Sequence, residues 1–374
     1  MTKSLAQLCE RVTSFIHRSA QENFIHAESD AREFEKLAFE IFNYQFQQNS
    51  AYRRLCESRK ARPGPVTSWE QIPAVPSAGF KELELTCLTP ADRTTVFHSS
   101  GTTGQQPSRH FHNGQSLAVY EASLLPWFRR HLLRGEEASS RTVDFFSLTP
   151  AAKDAPQSSL AHMIDVATRT SGGPASRSFG FVNREGQWSV EANFLLDALA
   201  GAQRPVLLLG TAFNFVHLLD AMEARQLGLK LPQGSRVMET GGYKGRSREL
   251  PKAALHAALA RRLGLPASAI ICEYGMSELS SQAYDLAVDA HDQPEPTARV
   301  FHFPPWCRFQ VIDPETSQPA REGSPGLLRI LDLANVASVI AVQTEDLAIQ
   351  RGDGFELLGR AVKAEARGCS LLTA

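Results

Sequence analysis

The sequence shows no excess of charge, no long apolar run and no signal-peptide pattern in its first residues, and each absence argues against a class of function. Its 374 residues contain 39 Lys and Arg against 40 Asp and Glu, a net charge of −1, whereas binding to nucleic acid or anionic membranes depends on a basic excess. No apolar run reaches the ~18 residues that cross a bilayer. The first residues, MTKSLAQLCERVTSF, show no signal-peptide core. We therefore expect a cytoplasmic protein without nucleic-acid or membrane partners.

Cysteine is scarce, and no two of its positions have the CxxC spacing of a zinc or redox site. In a reducing cytosol we expect most of the cysteines to be buried as small hydrophobic residues. A chain of this length, 43% hydrophobic, can bury its core without disulfides or metals. The six cysteines stand at 9, 56, 87, 272, 307 and 369.

Short apolar runs alternate with helical patterns from about residue 96 onward, which indicates an α/β fold with much parallel sheet. Before that point the apolar spacing predicts helices packed on this core. We therefore expect a helical N-terminal segment (1–95), an α/β core (96–359) and a short tail (360–374). The runs that predict strands are 142–148, 205–210, 235–240, 268–274, 308–313 and 326–331, with helices at 212–226 and 247–263.

The strongest local motif is HSSGTTGQQP at 98–107, directly after an apolar segment that ends at Phe97. Gly101 and Gly104 allow tight turns in which backbone amides approach an anion. The motif suits a polyphosphate, although it lacks the GK[ST] of a Walker A loop, and such a cluster alone is more often a surface loop. Its hydroxyl donors are Ser99, Ser100, Thr102 and Thr103.

A second motif, EYGMSE at 273–278, favours a nucleotide site over a surface loop. It follows the apolar strand Ala269–Cys272. It therefore places an aromatic ring, a glycine and a carboxylate at the carboxyl end of a strand, where α/β sheets bind ligands.

The two motifs in this order resemble those of the adenylate-forming superfamily, which includes acyl-CoA synthetases, luciferases and peptide-synthetase adenylation domains. Three short matches follow in the same order: GGY at 241–243, TED at 344–346 and LLGR at 357–360. Residues 304–333 resemble the phenylacetate-CoA-ligase branch. SSLAHM at 158–163, LLLGTAF at 207–213 and RGCSLL at 367–372 are similar to the LuxE-type acyl-protein synthetases. The resemblance implies the N-terminal-domain fold of these enzymes, with a truncated tail replacing the mobile C-terminal domain.

The resemblance also implies an ATP site. Thr102 and Thr103 would hold the β- and γ-phosphates, Tyr274 would pack on adenine, Asp346 would bind the ribose hydroxyls, and Arg360 would lie at the hinge. A core aromatic, a turn aspartate and a surface arginine are the alternatives for the last three residues. The implied ATP-binding residues are Ser99, Ser100, Gly101, Thr102, Thr103, Gly104, Gly241, Gly242, Tyr243, Tyr274, Gly275, Ser277, Asp346 and Arg360.

Three residues carry the implied catalysis: Thr102, Glu278 and Cys369. Glu278 would ligate Mg²⁺, since hard cations take carboxylate oxygens; a solvated carboxylate at a helix start is the alternative. After the acid is activated as acyl-AMP, the thiolate of Cys369 would take the acyl group as a thioester. A reductase partner would then receive it and yield an aldehyde or alcohol.

Two histidines are candidates for the acid-binding pocket. His98 precedes the phosphate loop, and His162 lies within SSLAHM. Lone histidines are more often structural. The HFH at 110–112 has no evident third ligand, so we do not predict zinc there.

Several alternatives stay open. An aryl-CoA ligase of the phenylacetate type is the second enzyme hypothesis, although the short tail argues against it and leaves Lys363 as the nearest substitute for the family's C-terminal lysine. A non-catalytic nucleotide-binding scaffold is the third. The acid is fatty or aromatic, and relatives occur in luminescence-type fatty acid reduction and in antibiotic pathways, including phenazine-carboxylate modification. A homodimer is expected only on base rates.

Overall fold

The computed structural model describes residues 3–21, 24, 28–99, 106–242, 250–285 and 299–361. These form an α/β protein whose two main sheets share one continuous apolar core with the N-terminal helices. The helices are α1 Leu5–Gln21, α2 Glu28–Gln48, α3 Ser50–Ser58, α4 Gly79–Glu82, α5 Gly114–Leu132, α6 Glu137–Ser140, α7 Ser159–Ser171, α8 Ala192–Ala200, α9 Ala212–Ala224 and α10 Lys252–Leu263.

The strands match the predicted runs and add pairs that the sequence did not reveal. They are β1 Val75–Pro76, β2 Thr95–His98, β3 Arg109–His112, β4 Asp144–Pro150, β5 Arg177–Val182, β6 Trp188–Val190, β7 Val206–Thr211, β8 Arg236–Thr240, β9 Ile270–Tyr274, β10 Ala283–Tyr284, β11 Val300–Phe301, β12 Cys307–Ile312, β13 Pro325–Asp332, β14 Ala341–Arg351 and β15 Gly354–Arg360.

The seven-stranded sheet has the order β10-β9-β8-β7-β4-β5-β6. Its five inner strands are parallel, as predicted, and its two outer strands are antiparallel. Helices α8, α9 and α10 contribute to a second apolar cluster against this sheet. The carboxyl ends of β8 and β9 therefore lie side by side at one edge of a sheet with helices packed on it.

The second large sheet is antiparallel over β11-β15-β14-β13-β12, with β1 added alongside β14. Its strand β1 comes from the predicted helical segment, so that segment is not purely helical. The same apolar core contains Leu8 of α1 and Phe355 of β15. The domain boundaries near residues 95 and 359 stay predictions.

Two of the motifs that carried the family resemblance begin helices. Ser158 of SSLAHM accepts a hydrogen bond from the amide of Ala161 at the start of α7. Thr211 of LLLGTAF forms a capping box with Asn214 at the start of α9. Such caps satisfy amides that have no partner within the helix. These motifs therefore serve local structure.

Candidate active site

Two glycines, Gly241 and Gly242, follow β8 beside the end of β9. Gly241 follows β8 with a φ of +68°, a left-handed conformation that glycine adopts without steric cost. Among the described residues, a Cβ placed on Gly241 or Gly242 would meet no atom within 4 Å. Those residues therefore leave room at the turn after β8, next to the strand that ends at Tyr274.

Three predicted nucleotide residues come together at this edge. The Tyr274 hydroxyl donates to Asp346 Oδ2 at 2.8 Å, and Arg360 Nε lies 3.8 Å from Asp346 Oδ1. Asp346 and Arg360 are direct cross-strand partners on β14 and β15, so the predicted hinge motif is part of a strand. Burial raises the pKa of Asp346, and the Tyr274 hydroxyl and Arg360 oppose that shift.

Tyr274 is itself largely buried. Its ring meets the ring of Phe355 edge-on with centroids 5.5 Å apart, and it meets Phe301 and Phe303 in the same way. The core-aromatic alternative therefore describes its surroundings, while the hydrogen bond to Asp346 holds its hydroxyl at the predicted ribose position.

The residues that flank the phosphate loop are connected to the EYGMSE motif by hydrogen bonds. Strands β2 and β3 form a hairpin, across which the Ser108 amide donates to Ser99 Oγ at 2.9 Å. Ser108 Oγ in turn lies 3.3 Å from Ser277 Oγ. The residues on either side of the phosphate loop therefore lie beside Ser277 and Glu278.

Glu278 is buried in a turn, 6% exposed, so the alternative of a solvated carboxylate at a helix start is wrong. Ser277 Oγ donates to Glu278 Oε2 at 3.1 Å, and Asn335 holds the Glu278 carbonyl oxygen at 2.9 Å. A carboxylate with neighbouring hydroxyls is a set of hard oxygen donors, which is what Mg²⁺ prefers. The donor set thus fits the predicted metal.

Two residues that the sequence analysis missed support this edge. The Thr240 hydroxyl donates to Glu273 Oε2 across β8 and β9. Burial raises the pKa of Glu273 to about 7, partly offset by that hydrogen bond. A side chain at Gly275 would collide with the Glu273 carboxylate. Because the partners come from separate strands, no local sequence pattern indicates the pair.

The predicted pocket histidines occupy different surroundings. His162 Nε2 lies 3.0 Å from Glu121 Oε1, and its ring contacts Phe97 and Tyr120. His98, at the end of β2, is half-buried, and burial together with the charge of Arg109 lowers its pKa. Their role in acid binding stays a prediction.

In the described part of the chain, His110 and His112 of the HFH segment have the surroundings of structural residues. Burial lowers the pKa of His110 to about 4, so the ring is neutral, and its Nδ1 lies 2.9 Å from the Ser277 carbonyl oxygen. The His112 ring packs on it with centroids 4.3 Å apart. In the part of the chain that the structure describes, neither belongs to a three-residue group able to hold a metal.

Four of the five described free cysteines are buried, as expected, and Cys87 is partly exposed. Within the described residues, no helix is long and apolar enough to span a bilayer. Several residues predicted for the site lie outside the residues that the structure describes. They are Ser100, Gly101, Thr102, Thr103, Gly104, Tyr243, Lys363 and Cys369.

Comparison with known proteins gives a consistent assignment. The family described as "Acyl-protein synthetase, LuxE" matches residues 172–374, more than half of the chain. A long-chain-fatty-acid–luciferin-component ligase of Aliivibrio fischeri is 22% identical over 90% of this chain and 86% of its own length.

Solved structures share the fold at low identity. A 2-hydroxyisobutyryl-CoA ligase in an open conformation, with its acyl-AMP and CoA, superposes with a TM-score of 0.63 at 13% identity, over 88% of this chain and 75% of that one. The same ligase in its postadenylation state gives 0.64 at 14% identity, over 88% and 68%. At such identity the likeness concerns the fold alone.

Proposed function

This chain belongs to the LuxE family of acyl-protein synthetases, and from that premise we propose that it uses ATP to activate a carboxylic acid as an acyl-adenylate. The acyl group is then loaded on Cys369 as a thioester and passed to a reductase partner. The observation that carries the proposal is the convergence at one sheet edge: Ser99 and Ser108 flank the phosphate loop beside Ser277, and Tyr274 holds Asp346 nearby.

The first half-reaction turns a poor leaving group into a good one. A carboxylate oxygen of the acid attacks the α-phosphorus of ATP; a new P–O bond forms and the bond to pyrophosphate breaks. The enzyme's contribution is positioning and charge neutralisation. In this reaction Asp346 accepts from the ribose hydroxyls, and Thr102 and Thr103 donate to the phosphate oxygens. Glu278 would hold Mg²⁺, which would supply positive charge to offset that of the phosphates.

The second half-reaction transfers the acyl group to sulfur. The Cys369 thiol loses its proton to solvent, the thiolate forms a C–S bond to the acyl carbon, and the C–O bond to AMP breaks. AMP leaves with the former carboxylate oxygen. A thioester retains enough reactivity for reduction by a second protein, which supports the partner in the proposal.

A long-chain fatty acid is the first substrate class to test. The Aliivibrio fischeri relative is named for such an acid, and it matches this chain over 90% of its length. Aromatic acids, phenazine carboxylates among them, form the second class.

The thioester step is testable by intact mass. Incubation with ATP, Mg²⁺ and acid should add one acyl mass, which hydroxylamine removes. Cys369→Ser should abolish the addition, and Cys87→Ser, at the partly exposed described cysteine, should not. A hydroxylamine-sensitive acyl group that persists in Cys369→Ser would refute the role of Cys369, and release of an acyl-CoA when CoA is added would favour the CoA-ligase alternative.

A further inference from the structure

A second polar cluster lies beneath helix α10, apart from the residues assigned to ATP. Glu239 on β8, Cys272 on β9 and His256 on α10 bring together a carboxylate, a thiol and an imidazole. Their exposed fractions are 1%, 0% and 5%. These are the three side-chain types that Zn²⁺ uses most in proteins.

The distances between the three candidate ligand atoms are close to those between the ligands of a zinc site. His256 Nε2 and Glu239 Oε2 are 3.2 Å apart, Cys272 Sγ and Glu239 Oε2 3.3 Å, and Cys272 Sγ and His256 Nε2 3.6 Å. In a tetrahedral zinc site, with Zn–S of ~2.3 Å and Zn–N and Zn–O of ~2.1 Å, ligand atoms are separated by about 3.4 to 3.6 Å. The three atoms therefore form one face of such a tetrahedron, within a few tenths of an ångström.

One oxygen of this cluster is unsatisfied. Glu239 Oε1 is buried and has no hydrogen-bond partner among the described residues. Leaving a buried carboxylate oxygen unpaired is costly, and the oxygen belongs to the group that faces the thiol and the imidazole. The atom that meets the thiol and the imidazole is the other oxygen, Oε2, so a cation would remove that cost only by binding the carboxylate through both oxygens.

The surroundings can support a thiolate. Arg299 Nη1 lies 3.8 Å from Cys272 Sγ and is itself held by Asp285 at 2.5 Å. Asp285 Oδ1 also accepts from the Cys272 amide at 2.7 Å, which fixes the backbone of the ligand. Such outer contacts orient metal ligands.

Lys252 adjoins the cluster. Its Nζ lies 3.6 Å from Glu239 Oε2, its side chain is 45% exposed, and its ammonium also interacts with Cys272. Metal binding therefore requires this ammonium to turn to solvent, so that water can take the fourth tetrahedral position.

We propose that Glu239, His256 and Cys272 bind one Zn²⁺, with water as the fourth ligand. On binding, the Cys272 thiol releases its proton to solvent and a Zn–S bond forms; no electrons are exchanged. The metal would clamp α10 to β8 and β9, close to Gly241, which follows β8, and to Glu273 of β9, both at the edge assigned to ATP. Its role is structural, and it stands whether or not the adenylation proposal does.

Metal content tests the site directly. Untagged full-length protein, dialysed against Zn²⁺ and then metal-free buffer, should retain one equivalent per chain. Cys272→Ser should lower the affinity by at least ~100-fold, more than the 10- to 100-fold seen when outer contacts are lost. Cys307→Ser, at a buried cysteine outside the cluster, should retain the metal. Substoichiometric zinc in the wild type, or equal affinity in Cys272→Ser, would overturn the proposal.

Two further readouts keep the test independent of variant folding. Co²⁺ added to the wild-type protein should give a thiolate-to-metal charge-transfer band and tetrahedral visible bands, and the absence of both would contradict the site. Lys252→Gln should raise the affinity for Zn²⁺ several-fold, because a competing positive charge is removed. A lowered affinity in that variant would also contradict it.

Discussion

Two buried glutamates in the same part of the molecule, Glu239 and Glu278, have opposite environments. Glu239 Oε2 has two basic side chains beside it: His256 Nε2 at 3.2 Å and Lys252 Nζ at 3.6 Å. Burial would raise its pKa, but the His256 hydrogen bond and the Lys252 charge hold that pKa below its usual value. Glu278 instead accepts from the neutral hydroxyl of Ser277. Protein groups compensate one oxygen of Glu239 and leave the other unpaired, whereas Glu278 adjoins the loop assigned to phosphate.

This difference indicates that burial alone does not identify a catalytic acid. A carboxylate beside a histidine and a lysine is bound to its own fold, whereas one that meets only a neutral hydroxyl has no cationic partner within the described residues. We therefore expect changes at Glu278 to affect adenylation, and changes in the Glu239 cluster to affect stability and metal binding.

The largest effect is expected at Glu278. Glu278→Ala should reduce ATP–pyrophosphate exchange by on the order of 10²-fold or more, the scale seen when a preorganised oxyanion donor is lost from an active site. Thr102→Val should do the same through the phosphates. Glu278→Gln keeps the shape of the side chain and a hydrogen-bonding oxygen, so its exchange rate distinguishes the effect of the lost charge from that of lost packing. Exchange at the wild-type rate in Glu278→Ala and Thr102→Val would remove the assignment.

The next effect concerns Glu273, which lies between the two glutamates in sequence. Its pKa is about 7 in the folded protein against 4.5 ordinarily, so between these pH values the folded state holds a proton that the unfolded chain has released. The free energy of unfolding should therefore fall as pH rises through this window, by roughly 1–3 kcal/mol, and level off above it. Glu273→Gln should flatten that fall.

Urea titrations of both proteins between pH 4.5 and 8 measure this effect. Burial also raises the pKa of Asp332, to about 6, but that contribution is common to both proteins and cancels in their difference. A pH-independent difference would show that Glu273 titrates normally in the fold.

A smaller effect is expected at the Tyr274–Asp346 pair. Asp346→Asn should raise the KM for ATP about 10-fold, since a hydrogen bond to a charged group contributes ~1.5–3 kcal/mol. Tyr274→Phe should raise it less, and the double variant should fall short of the product of the two because the residues are bonded. Glu345→Gln, at the exposed neighbouring residue, is the control. Additive effects would argue that the pair does not act together.

The smallest effect on catalysis is expected in the Glu239 cluster. Cys272→Ser should leave pyrophosphate exchange per folded molecule within about 2-fold, while lowering the midpoint of urea unfolding because a buried polar cluster loses a member. Exchange and unfolding are measured on the same preparation. A loss of exchange comparable to that of Glu278→Ala would merge the two regions into one functional site.

The sequence was most informative where the signal is local. The apolar runs at 205–210 and 268–274 correspond to β7 and β9, because buried parallel strands are continuous in hydrophobicity. The family resemblance implied that Tyr274 and Asp346 would share a nucleotide site, and the two residues are hydrogen-bonded. LLGR at 357–360 was interpreted as a hinge from its resemblance to the family motif, but it forms the end of β15, which pairs with the preceding strand β14.

The Glu239 cluster could not be predicted for the same reason. Its members are separated by 16 or more residues, so neither metal-ligand spacing nor a short motif indicates them. Only the pairing of β8 with β9, and the packing of α10 beside them, brings the three side chains together.

The most direct test of the central claim is ATP–pyrophosphate exchange by the wild-type protein against fatty acids of graded length and mono- and polycyclic aromatic acids. We predict exchange that requires an acid, is supported by one class and is strongest with long-chain fatty acids. ATP binding without exchange for any acid would contradict the adenylation proposal and leave a nucleotide-binding scaffold in its place.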